Sequence, residues 1–146
     1  PFSYFIRPVH LRASAFTKAF SPDWLQGAFL LIPRLAFSKI GGFDEQIFMY
    51  AEDIDICLRL KQAGLNIYYQ PAPFITHLQS KASSSSFALL SEIDGIKYLV
   101  KKYLPTWQYP LANLIIKTGS LLRFLIFGII LADDQKRHVY FTALSR

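Results

Sequence analysis

Between Leu111 and Ala132 lie 22 residues of which only Lys117 and Arg123 are charged. A run this apolar leaves few choices: it crosses a membrane, lies on one, or is covered by protein. About 20 residues suffice to span a bilayer. Two cations at mid-segment would each cost roughly 2.5 to 3.5 kcal/mol at the bilayer centre. On a helix at about 100° per residue, Asn113, Lys117, Ser120 and Arg123 fall in one stripe, and most of the remaining circumference is apolar. The pattern therefore predicts an amphipathic helix lying in the membrane interface, ahead of a spanning one. Packing on other parts of the protein, or on a second copy, is the alternative.

The charge distribution agrees with the interface. Residues 1–80 carry seven basic and six acidic groups, and residues 81–146 carry nine and four, so +5 of the formal +6 lies in the second half. Cations next to a long apolar run suit an anionic membrane surface. The chain has no Lys/Arg run of the kind that binds nucleic acid, and none is expected as a partner. With 52% hydrophobic residues the chain is not a disordered one, and with Cys57 as its single cysteine it is not a disulfide scaffold.

Punctuation residues divide the rest. Trp24–Ile32 is an apolar run after the turn signal Ser21-Pro22-Asp23 and is expected to be a buried strand, with Gly27 marking a bulge or a close approach. Pro33 followed by Gly41-Gly42 brackets a short helix. Glu52, Asp53 and Asp55 precede Arg59, Lys61 and Gly64, which is the charge order and stop signal of a helix. Residues 65–70 and 74–77 are expected as short strands. Ser80–Ser86 is a serine-rich loop, and Leu89–Tyr103 a helix closed by Pro105.

The acids at 52, 53 and 55 are the candidates for chemistry. Carboxylates at a helix N-terminus are often no more than partners of the helix dipole. Here an aromatic loop, Phe43–Tyr50, delivers them, and such a loop can wall a pocket. A carboxylate so placed can take a proton from a hydroxyl nucleophile, and the helix end would favour its ionised form.

Three stretches in this order resemble family 2 glycosyltransferases of the inverting GT-A kind, most of all the bacterial rhamnosyltransferase-like branch. They are WLQGAFLLIPRLAF at 24–37, KIGGFDEQIFMYAEDIDICLRLKQAG at 39–64 and IYYQPAPFITH at 67–77. The resemblance implies an α/β fold, the C-terminal part of a GT-A domain, followed by helices of which one is amphipathic or membrane-associated. By this likeness residues 1–80 form the C-terminal half of the catalytic domain. Residues 81–110 are then a loop and helix, 111–132 the amphipathic helix and 133–146 a polar tail. The likeness also implies roles. Asp53 would be the catalytic base. Trp24 and Glu52 would contact the acceptor. Gly27 and Ala28 would let the sugar donor approach, and His77 would ligate a metal. Asp55 would be structural. Ser80 stands where the family often has a glycine.

No D-x-D motif precedes Trp24, and the chain opens on Pro1, so a longer protein is expected to carry the nucleotide-binding half. That half would hold the main ligands of the implied Mg²⁺ or Mn²⁺. The expected activity is transfer of a sugar from a nucleotide-sugar donor to a hydroxyl of a glycan or lipid-linked acceptor, in cell-envelope polysaccharide synthesis. The enzyme would work in the cytoplasm, on the inner face of the membrane. The chain taken by itself is expected to be inactive. Two other readings stay open: a glycan-binding remnant without turnover, and a membrane-associated interaction module whose acids are only helix caps.

Overall fold

The computed structural model describes residues 16–73, 75–76 and 86–145. They fall in two compact units, one drawn from Pro1–Asp44 and Glu52–Leu78, the other from Glu45–Ala51 and Gln79–Arg146.

The first unit is built on two helices, α1 (Arg34–Lys39) and α2 (Glu52–Gln62). Pro33, with φ −56°, stands at the α1 N-cap, where its missing N–H costs nothing. Gly41 and Gly42 both have φ +79°, and the Gly42 N–H returns to Phe37 O at 3.0 Å. This left-handed closure is available to glycine without steric cost. Helix α2 carries its three acids in the first turn and ends at Gly64, φ +80°. Ile56, Cys57 and Leu60 share one face of α2 and form the core with Ile67. Trp24, Leu25, Leu30 and Ile32 pack against that cluster from the preceding segment.

Arg59 links the two helices. Its Nε donates to Asp55 Oδ2 at 2.7 Å, and its Nη1 donates to Ile40 O and Gly42 O. One guanidinium thus neutralises a fully buried carboxylate and covers the carbonyls at the end of α1. Lys39 Nζ reaches Ala63 O at 3.1 Å near the end of α2.

The expected strands do not form. Among the described residues the only β pairing is an isolated antiparallel bridge, Phe20 with Tyr69, closed by N–H···O bonds of 3.3 and 2.8 Å. The run 24–32 instead turns at Gly27–Phe29 and leaves Leu31 92% exposed. A strand exists only where a neighbour pairs its backbone. The Gly27 N–H is taken by a carboxylate, that of Asp53, rather than by another strand. Of the expected strand at 74–77, Phe74 and His77 lie outside the described residues.

The second unit is helical. It contains α3 (Ser86–Tyr103), α4 (Gln108–Arg123), a π-helical continuation Phe124–Ile130, and α5 (Asp134–Ser145). Pro110 fits in the first turn of α4, where no intrahelical N–H bond is lost. The continuation ends with the Leu131 N–H on Ile126 O at 2.9 Å, an i→i−5 bond. Residues 134–145, expected only as a polar tail, are a helix for local reasons. Asp133 Oδ1 accepts the Lys136 N–H at 2.9 Å as an N-cap, and Asp134 pairs with Arg137 at 2.7 Å. Val139, Tyr140 and Ala143 are its buried face. Phe127 stacks on Tyr140 with centroids 6.1 Å apart.

Candidate active site

Asp53 stands in the first turn of α2, where the sequence places it by putting acids at a helix start. Its two carboxylate oxygens are held separately. Oδ1 accepts its neighbour's N–H, that of Ile54, at 2.8 Å, and Oδ2 accepts the Gly27 N–H at 3.0 Å. The second bond joins residues 26 apart in sequence and fixes the carboxylate against the turn at Gly27. A β-carbon on residue 27 would lie 3.4 Å from Asp53 Cβ and 3.8 Å from Oδ2, which is ordinary van der Waals contact, so the approach is close without itself requiring glycine.

Beside this pair opens a cavity of about 350 Å³, lined by Gly27, Leu30, Ile32, Phe37, Phe43, Glu52 and Asp53. Its chemistry is one-sided: two carboxylates at one wall and an apolar remainder. Burial raises the Asp53 carboxyl above its ordinary value. The N–H bonds from Gly27 and Ile54 oppose this, and the Glu52 charge adds to it. The helix end was expected to favour the ionised form; desolvation outweighs it. Tyr50, two residues before α2, has φ +72°, a left-handed backbone costing a side-chain-bearing residue about 1 to 2 kcal/mol. The sharp entry into the acidic turn is built at that cost.

The structure brings three of the expected residues together, Gly27, Glu52 and Asp53. Ala28 is exposed in the adjoining turn. Trp24 is half-buried against the α2 core and does not line the cavity. His77 lies outside the described residues. Phe43 was signalled by its place in the aromatic loop. Leu30, Ile32 and Phe37 were not, because an apolar residue at a site wall is indistinguishable in sequence from one in a core.

Among the described residues no group of three or more His, Cys, Asp or Glu is placed to hold a metal ion. Both Asp53 oxygens are already engaged by N–H donors. The described residues of this site do not form a metal-holding set.

Comparison with known proteins agrees on the class. Residues 4–92 match the profile of "Glycosyltransferase like family 2". The chain is 42% identical over 66 residues to rhamnosyltransferase WbbL of Escherichia coli (strain K12), covering 45% of this chain and 25% of that protein. It is 34% identical over 91 residues to N-acetylglucosaminyl-diphospho-decaprenol L-rhamnosyltransferase of Mycobacterium tuberculosis, covering 60% of this chain and 30% of that protein. The chain thus spans less than a third of the length of these curated relatives. No solved structure matches it.

Proposed function

The chain belongs to the glycosyltransferase like family 2, and from that membership we propose that it supplies the base and acceptor wall of an inverting, GT-A type sugar transferase. The observation that carries this is Asp53: a carboxylate at a cavity wall, held by two N–H donors, whose proton affinity is raised by burial.

The chemistry follows from that placement. An acceptor hydroxyl entering the cavity meets Asp53, which takes its proton. The oxygen forms the new bond to the anomeric carbon as the bond to the nucleoside diphosphate breaks. The diphosphate leaves with that electron pair, and the anomeric centre inverts. A base with a raised proton affinity accepts the proton with greater driving force, provided it is ionised when the acceptor arrives. The Gly27 and Ile54 N–H groups favour the ionised state and fix the oxygen's position. Glu52, on the same wall, can accept a hydrogen bond from a second hydroxyl and so orient the sugar. Leu30, Ile32, Phe37 and Phe43 give the ring an apolar face. Trp24 remains an acceptor contact only through its exposed part. The donor would approach past Ala28 and the Cα of Gly27, since the Gly27 N–H is committed to Asp53. Residues elsewhere in the enzyme would hold the donor diphosphate and its divalent cation, and His77 stays a proposed contributor.

Relatives named as a rhamnosyltransferase and as a diphospho-decaprenol rhamnosyltransferase support a deoxyhexose donor and a polyprenyl-linked acceptor. Such an acceptor stays in the bilayer, which supports a site of action at the membrane, and the enzyme would work on its cytoplasmic face. The experiment is transfer by the full-length protein from nucleotide-sugars to a polyprenyl-diphosphate acceptor. Asp53→Asn should lower turnover by about 10² to 10⁴ with donor binding retained. Unchanged turnover would remove Asp53 as the base.

A further inference from the structure

Three members of the polar stripe of the 108–130 helix, Asn113, Lys117 and Ser120, face the protein, Arg123 is exposed at its edge, and the apolar face is left open. Ser120 is 3% exposed, Lys117 is half-buried, and the Asn113 amide oxygen is buried with no hydrogen-bond partner among the described residues. Phe124, Phe127 and Gly128 continue this inner side. Gly128 comes so close to α5 that a β-carbon there would lie 2.9 Å from Arg137 Cβ. On the opposite side Leu114, Ile115, Leu122, Leu125, Ile126 and Ile129 are all exposed, between 41% and 63%. They lie on one side of a helix of 23 residues, two before and four after the exposed Thr118. A water-exposed helix has the reverse arrangement.

We propose that this exposed apolar stripe is a bilayer-docking face, lying in the plane of an anionic lipid surface with the rest of the helical unit above it. The proposal deepens the membrane placement given above and names the face responsible, but does not depend on the sugar chemistry. Charge favours lipid over a protein partner. From Gly95 to Ala132 there is no acid, and Lys101, Lys102 and Arg123 are exposed cations. Trp107, 66% exposed, stands at the N-terminal end of the stripe, where an indole suits the headgroup region. The helix is long enough to cross, but its neighbours argue against crossing. Lys136 lies over the Phe127 ring at 4.7 Å, and Arg137 packs on Gly128. Lys101 and Lys102 close α3 just before α4 begins. Crossing would draw these cations into hydrocarbon, whereas docking in the plane leaves them at headgroup level.

The orientation separates this from a helix that meets lipid with its polar stripe along the headgroups. In that case Lys117 would be a lipid contact; here it is not. The test is co-sedimentation of the full chain with vesicles of 3:1 phosphatidylcholine and phosphatidylglycerol, with no donor or acceptor present. The chain should bind, and less tightly in high salt. Leu122→Gln with Ile126→Gln should weaken partitioning by at least about tenfold, and Leu114→Gln with Ile129→Gln should do the same. Lys117→Gln should leave it within about twofold. The Gln replacements are at exposed positions and should keep the helical circular dichroism spectrum and melting temperature, which is to be verified for each.

Failure to bind these vesicles would overturn the proposal, as would unchanged binding by both Gln pairs. So would binding that resists salt and alkaline carbonate with the helix protected from protease, which marks a spanning segment. A lipid-free dimer in light scattering that the Gln pairs dissociate would make a second copy the occupant. Asp53→Asn should bind vesicles as the parent does, so loss of transfer and loss of docking are read separately.

Discussion

The Gly27 N–H donates to Asp53 Oδ2 at 3.0 Å, so the one carboxylate that walls the cavity and is lifted by burial is also the one tied to the preceding turn. The base must be ionised to act, and its carboxyl lies above the ordinary 3.8. Transfer by the full-length enzyme should therefore fall on the acid side at a higher pH than an unperturbed aspartate would give. The measurement is kcat/KM against pH, with Asp53→Asn losing that limb. An acid limb at or below the ordinary carboxylate range would show that the N–H donors outweigh burial.

The same shift has a sign in stability. A group whose folded pKa exceeds its unfolded value stabilises the fold fully below the unfolded value, and that contribution is lost as pH rises through the folded value. Asp53 is such a group. Asp53→Asn cannot ionise, so its melting temperature relative to the parent should be more favourable at about pH 8 than at about pH 4. Thermal melts of both proteins across that range check it. The opposite trend would mean the ionised carboxylate is net stabilised by its two N–H bonds.

Arg59 and Asp55 hold the scaffold under the site. Asp55 is 0% exposed and its ion pair with Arg59 is 2.7 Å long. Asp55→Ala leaves a guanidinium without its counter-charge and should cost about 3 to 5 kcal/mol in urea unfolding. Arg59→Lys should cost less than that but more than a surface change, because one ammonium cannot reproduce the bonds to Asp55, Ile40 O and Gly42 O together. Equal stability of Arg59→Lys and the parent would show the fork geometry to be dispensable.

Helix boundaries are legible in the sequence where the determinant is local. The acids in the first turn of α2, Gly64 after it, and the Pro33 and Gly41-Gly42 brackets of α1 each act within one helical turn, so sequence spacing suffices. The expected strand at 24–32 does not form because pairing must be supplied by another segment, and the partner of Gly27 is a carboxylate 26 residues away. The helix at 108–130 shows a different limit. The pattern shows that it has two faces, but which face is covered is decided by α3 and α5, and they cover Asn113, Lys117 and Ser120 of the polar one. At the cavity, Asp53, Glu52 and Gly27 were legible through chemistry and the family likeness. Leu30, Ile32 and Phe37 contribute only shape, which the sequence does not mark.

In the second unit Gly95 of α3 meets the 45–51 loop where Ala51 is fully buried. A β-carbon on residue 95 would lie 2.7 Å from Ala51 Cβ, closer than two such atoms can sit, and 3.7 Å from Met49 O. Alanine in a helix interior is otherwise favoured over glycine by about 1 kcal/mol. The two effects oppose each other, and the collision should win, because one of its members is backbone-borne and cannot rotate away. Gly95→Ala is therefore expected to destabilise by about 1 to 3 kcal/mol. Ala51→Gly should also destabilise, by loss of a buried methyl and by greater freedom of the unfolded chain. Combined, they should cost less than the sum of the two, since Ala51→Gly removes the atom that Gly95→Ala strikes. Urea unfolding of the parent, both single variants and the double variant gives the coupling directly. Strict additivity would mean that the loop and α3 do not meet at this pair, whereas a deficit of about 1 kcal/mol or more would place the contact between these two residues.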